Sequence, residues 1–229
     1  LGVIEKPVTS AKLEKLIELH KPIVSKSVRP QAGLPFTLEE IAEGLKKDEF
    51  EPFFQPKVDF ATGRVTGAEA LARWRHPQKG IVAPYAFIGL MEENGLIYTL
   101  SQAMLRKSAA FCKTWRAASG LEVTVAVNLS IKSIAEVRLA EQVTELVRGE
   151  STEPQHMVIE VTESATTIET GKGLENHPRL RMKGFGLSID DYGTGYSSMQ
   201  QLTRVAFTEL KIDPSFFANA AQQDSAKTI

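Results

Sequence analysis

A chain of 229 residues, 42% hydrophobic and 24% charged, has the make-up of an ordinary folded protein with room for one large domain or two small ones. Its net charge of −1 offers no basic footprint, so a duplex nucleic acid is not an expected partner. No apolar run approaches the ~20 residues of a membrane span, and Leu1-Gly2-Val3-Ile4-Glu5-Lys6-Pro7 turns polar too soon for a signal peptide.

Residues 1–20 read as a strand end, a turn and a helix, with Thr9 or Ser10 as cap and Leu13, Leu16, Ile17 and Leu19 on one face. Pro22, Pro30 and Pro35 mark residues 21–36 as a linker. Thr37-Leu38-Glu39-Glu40 is a capping box, opening a helix to about Lys47. Phe53–Asp59 and Val65–Arg73 flank Ala61-Thr62-Gly63-Arg64, which predicts an antiparallel hairpin.

From there helices and strands alternate. Helices are predicted from Pro84 to about Glu93, from Leu96 to Ala118, from Ile131 to Arg148, over about Gly173–Lys183 and over Ser197–Thr203. Strands are predicted at Val123–Asn128, Met157–Thr162, Gly186–Asp190 and Phe207–Ile212. Alternation of this kind implies parallel strands, and their continuous apolar runs imply helices on the sheet. The lone Cys112 sits in one predicted helix and reads as a packed core thiol, compatible with a reducing cytoplasm, the expected location.

Four polar groups stand where strands are predicted to end: Glu69, Asn128, Glu160 and the pair Asp190-Asp191. An ionised carboxylate moved out of water without a partner is heavily penalised, and a divalent cation removes the penalty. Oxygen ligands suit Mg²⁺ or Mn²⁺, and phosphate ester hydrolysis is the leading chemistry of such a cluster. Polar residues at the C-terminal ends of at least four strands favour a (β/α) barrel over an open doubly wound sheet. Lys211 is predicted on a strand ending toward the same rim. His76 tempts as a ligand, but loop histidines are more often not ligands and the acidic set is already sufficient.

Glu69-Ala70-Leu71 with Ala72-Arg73-Trp74, then Asn128, Glu160-Val161-Thr162-Glu163, Asp190-Asp191-Tyr192-Gly193-Thr194-Gly195 and Leu210-Lys211-Ile212-Asp213 resemble, in order, the signature of the EAL-domain family. The resemblance covers residues 37–229. It implies an α/β fold, a TIM-like (β/α) barrel of EAL type with an antiparallel first strand. It also implies a metal-dependent phosphodiesterase that hydrolyses cyclic di-GMP to linear pGpG. Two ions, Mg²⁺ or Mn²⁺, are implied: Glu69, Asn128, Glu160 and Asp190 around one, Asp190 and Asp191 at the other. Lys211 would hold the attacking water or neutralise charge on the phosphate. Glu163 is read either as a ligand or as a carboxylate that holds the following loop. Gln55 and Arg73 match the family's substrate-contacting positions.

Residues 1–20, with Lys6-Pro7, resemble the tail of a receiver domain. That implies a response regulator with an upstream histidine kinase, and the family implies a homodimer. The alternative is an EAL receptor that binds cyclic di-GMP without cleaving it and acts through dimerisation. Residues 37–229 fall short of the ~250 of a TIM-type barrel. The family's later Glu-Gly-Val-Glu segment and Gln-Gly loop are not in the sequence. The C-terminal part is therefore expected to be missing, and residues 1–229 alone are expected to associate wrongly and to be inactive.

Overall fold

The capping box written at Thr37 forms as the sequence predicts. Glu40 N donates to Thr37 Oγ1 at 3.1 Å, and Thr37 N donates to Glu40 Oε2 at 2.8 Å. Two orphan amides at the start of α1 (Leu38–Lys46) are thereby satisfied. The computed structural model describes residues 36–130, 138–162, 176–192 and 207–212, without the side chains of Asp191 and Tyr192. The receiver tail read at 1–20, nearly all of the linker at 21–36, Glu163, and the helix read at 197–203 lie outside the described residues.

Strands β1 (Phe50–Val58) and β2 (Val65–His76) pair antiparallel, with Gln55 opposite Glu69 and Phe54 opposite Ala70. Their turn is built by Asp59, whose carboxylate accepts from Thr62 N at 2.7 Å and from Thr62 Oγ1 at 2.6 Å. Gly63 takes φ 69° there, a conformation a side chain would resist. The short β3 (Gly80–Val82), which the sequence did not announce, pairs antiparallel with the end of β2. The remaining strands β4 (Thr124–Asn128), β5 (Met157–Thr162), β6 (Gly186–Tyr192) and β7 (Glu209–Ile212) are parallel. The order is β1-β2-β4-β5-β6-β7, with β3 beside β2.

The helix expected from Pro84 is two pieces. A 3₁₀ turn covers Pro84–Ala86, and α2 (Ile88–Glu93) follows. Phe87 between them has φ −135°, outside the helical range, and its ring is fully buried against Phe50 at 5.1 Å. Burial of that ring outweighs continuity of the helix. The long helix is α3 (Ile97–Ser119), ended by Gly120 at φ 67°. Next come α4 (Leu139–Gly149) and α5 (Asn176–Met182). Residues 131–137 and 173–175, predicted to open these two helices, lie outside the described residues.

Alternation along the strands divides the sheet into two faces. On the helix side Phe54 stacks on Phe111 of α3 at 3.7 Å, and Phe50 stacks on Trp74 at 5.0 Å. Burial of such rings contributes about 1.5–3 kcal/mol each. On the other face lie Gln55, Lys57, Gly67, Glu69, Ala126, Asn128, Glu160, Ser188, Asp190, Glu209 and Lys211. Lys57 of β1 reaches Glu209 of β7 at 2.6 Å, though the two strands are first and last in the order. Flat strands so ordered would stand roughly 24 Å apart at ~4.8 Å per spacing. The sheet is therefore strongly curved, with this polar face on the inside. Among the described residues no ladder joins β7 to β1.

Candidate metal centre

Side chains from five strands meet at one point on the concave face. Glu69, Glu160 and Asp190 place one carboxylate oxygen each within 4.8 Å of one another. Lys211 Nζ lies 2.9 Å from Glu69 Oε2, 3.0 Å from Glu160 Oε2 and 3.1 Å from Asp190 Oδ2. Asn128 Nδ2 donates to Glu69 Oε1 at 3.1 Å and to Glu160 Oε2 at 3.3 Å. Register explains the convergence: Asn128 pairs with Glu160, Thr162 with Asp190, and Glu69 with Ala126 two residues before Asn128.

One expectation about position is corrected. Glu69 does not end its strand but stands inside the twelve-residue β2. What ends there is the parallel ladder to β4, whose last pair is Ala70 with Val127. Beyond it β2 continues as the partner of β1 and β3. Asp190 likewise precedes the end of β6.

Gly67, Ala126 and Ser188 are small residues on the same face of the sheet. Lys57, which the sequence reading passed over, also reaches the cluster. Its ammonium donates to Glu160 Oε1 at 3.0 Å as well as to Glu209. The signal was available: Lys57 shares the face of Gln55 two residues before it, in a strand already identified.

Burial and charge act against each other in this cluster. Burial raises the pKa of Glu160, whose side chain is fully buried; Lys57 opposes this, and the neighbouring Glu69 adds to it, leaving the net direction upward. Burial also works to raise that of Glu69, but the hydrogen bond and charge of Lys211 prevail and the net direction is downward. Burial works to lower the pKa of Lys211, yet Glu160 and Glu69 hold it well above the usual lysine range. Lys211 thus faces these carboxylates as a cation and hydrogen-bond donor.

The donor set fits a hard divalent ion. An octahedral Mg²⁺ with ligands at ~2.1 Å spaces its ligand atoms about 3.0–4.2 Å apart, within the span observed. Carboxylate and amide oxygens are the donors such ions select. Asn128 presents its amide nitrogen to the carboxylates, and the same amide turned over presents an oxygen.

The other sequence candidates divide. Gln55 is exposed on β1 opposite Glu69, beside the cluster. Arg73 is partly buried, donates to Ala72 O at 2.8 Å and lies 5.8 Å over the Phe53 ring, on the same face two residues beyond Leu71. The strand backbone at Asp191 is described, but its side chain is not. His76 is structural: its Nδ1 accepts from Gln78 N at 3.1 Å and Lys79 N at 3.2 Å, and its ring packs on Trp74. Cys112 is buried, and burial pushes its thiol pKa up, so it remains an unreactive thiol.

The family model for the EAL domain matches residues 38–229. This chain belongs to the EAL domain family. The EAL chain is 35% identical over 192 residues to the bifunctional diguanylate cyclase/cyclic di-GMP phosphodiesterase MucR of Pseudomonas aeruginosa, covering 84% of this chain and 28% of that protein. It is 34% identical to the cyclic di-GMP phosphodiesterase RocR of the same organism, covering 81% of this chain and 47% of RocR. It therefore spans less than half the length of either relative. Among solved structures, a PaMucR phosphodiesterase in complex with c-di-GMP superposes with a TM-score of 0.76 at 35% identity, over 83% of this chain and 77% of that one. No described helix of the EAL chain is long and apolar enough to cross a membrane.

Proposed function

We propose that this EAL chain carries a metal-dependent phosphodiesterase site that hydrolyses cyclic di-GMP to linear pGpG. The observation that carries the reading is the meeting of Glu69, Glu160 and Asp190 with Asn128 and Lys211 on one concave face. Similarity to phosphodiesterases named for cyclic di-GMP supplies the substrate.

In this reading Glu69, Asn128, Glu160 and Asp190 hold one ion, and Asp190 and Asp191 hold a second. Mg²⁺ or Mn²⁺ bound there supplies an acidified water and a clamp on the phosphate oxygens. Lys211 orients the attacking water or offsets charge developing on the phosphate. Arg73 grips a phosphate oxygen through its paired N–H donors, and Gln55 offers an amide to the nucleotide. Glu163, outside the described residues, is assigned by the family resemblance either as a ligand or as a carboxylate holding the following loop.

The reading extends to a response regulator, on the resemblance of Lys6-Pro7 to a receiver tail, with a histidine kinase upstream and a homodimer as the working unit. Light scattering on the purified protein tests the dimer.

The test of the site is turnover. The complete protein, supplied with Mn²⁺ or Mg²⁺, should convert cyclic di-GMP to pGpG, resolved by chromatography. Glu69→Ala should lose at least ~100-fold in rate, as removal of a preorganised electrostatic group does. Nucleotide binding with no turnover in wild type would replace the enzyme with the binding-only receptor. Near-normal turnover in Glu69→Ala would sink the metal assignment.

A further inference from the structure

Glu160 is the one fully buried carboxylate of the cluster, and its two oxygens face different partners. Oε2 faces Lys211 and Asn128, at the point shared with Glu69 and Asp190. Oε1 faces away and accepts from Lys57 at 3.0 Å. Lys57 is held in turn by Glu209 at 2.6 Å. Its side chain is 12% exposed, and that of Glu209 is 33% exposed. A lysine with four rotatable carbons keeps one geometry here because carboxylates fix both sides of its ammonium. The residue opposite Lys57 on β2 is Gly67.

We propose that Lys57 is a positioning residue of the metal centre. It pins Oε1 of Glu160 and so commits Oε2 to the ligand point, and Glu209 anchors it from β7. The inference rests on the metal reading above, since it assigns Lys57 a role toward that ion. A carboxylate held at one oxygen binds as a single, directed ligand; released, it rotates about its last torsion and spends part of its time turned away. Partners that orient a metal ligand typically contribute 10–100-fold to metal affinity or activity.

Two effects of removing Lys57 have opposite signs, which makes the experiment decisive. Deleting a positive charge beside a cation site strengthens cation binding. Deleting an orienting partner weakens it. Mn²⁺ affinity is therefore measured by titration calorimetry on the intact protein without nucleotide, for wild type, Lys57→Met, Lys57→Arg and Glu209→Gln. Positioning predicts that Lys57→Met binds Mn²⁺ at least ~10-fold more weakly, that Lys57→Arg recovers part of the loss, and that Glu209→Gln loses several-fold. Unchanged or tighter binding in Lys57→Met overturns the proposal, as does a wild type that binds no Mn²⁺. If Lys57→Met does not fold, Glu209→Gln decides alone: it keeps the ammonium at Glu160 and removes only its anchor, so unchanged affinity there counts against the proposal. Turnover measured in parallel separates the two readings. Wild type that binds Mn²⁺ but leaves cyclic di-GMP intact ends the proposed function and leaves Lys57 to be judged by the titrations.

Discussion

Glu160 shows how one residue can be both a stability element and a site element. It is buried, and two lysines approach it at 3.0 Å. Breaking a buried ion pair by deleting one partner costs about 3–5 kcal/mol, because the other charge is left uncompensated. Here Lys57 keeps Glu209, and Lys211 keeps Glu69 and Asp190, so the low end applies. Glu160→Ala should thus lose about 3 kcal/mol without added metal. For a domain of this size that lowers Tm by about 6–12 °C. Thermal unfolding in chelator, followed by circular dichroism, measures it; a drop under ~2 °C would mean that the lysines do not depend on Glu160. That Glu160 is structurally unusual was legible in Val-Ile-Glu-Val, since an apolar strand does not carry an acid without cause. Lys57 escaped notice because a lysine on a strand is ordinarily a solvated residue, although it shares a face with Gln55.

Elements rather than residues set the aim of the site, and the parallel ladder between β2 and β4 is the critical one. Gly67 pairs with Thr124 there, and a Cβ built on Gly67 would lie 2.5 Å from Thr124 O and 2.9 Å from its Oγ1. Backbone on a central strand cannot yield cheaply. Gly67→Ala should therefore destabilise the fold by about 1–3 kcal/mol, the usual cost of overpacking. Because Glu69 is two residues away, the variant should also bind Mn²⁺ less tightly than wild type. Urea unfolding and a Mn²⁺ titration check the two effects, and wild-type values in both would show that the ladder shifts freely. The extent of β5, the capping box of α1 and the hairpin were readable because local chemistry fixes each: a bounded apolar run, a Thr-x-x-Glu spacing, and the turn run Ala61-Thr62-Gly63-Arg64 between two strand patterns. The break at Phe87 and the extra β3 were not readable. They follow from packing on Phe50 and from pairing with β2, which are contacts between segments distant in sequence.

At the scale of the whole molecule, the site gathers residues from 69 to 211 and thereby spans nearly every strand. Parallel strands with alternating helices were legible, as was the collection of polar groups at one end of the sheet. Curvature was legible as well, since polar groups at several strand ends favour a barrel over an open sheet, and it shows itself where Lys57 meets Glu209 across the sheet. Such an arrangement couples ion binding to global rather than local stability, because unfolding any of the contributing strands scatters the ligands. A ligand that binds only the folded state at 100 times its Kd adds about 2.7 kcal/mol. With a urea m-value of about 2 kcal/mol/M, the unfolding midpoint should rise by just over 1 M in Mn²⁺, with the slope unchanged. Asp190→Ala should abolish the rise, since it removes one of the three carboxylates at the ligand point. Wild type whose midpoint ignores saturating Mn²⁺ would show that no ion is held across the strands. A rise that persists in Asp190→Ala would move the binding site away from the cluster.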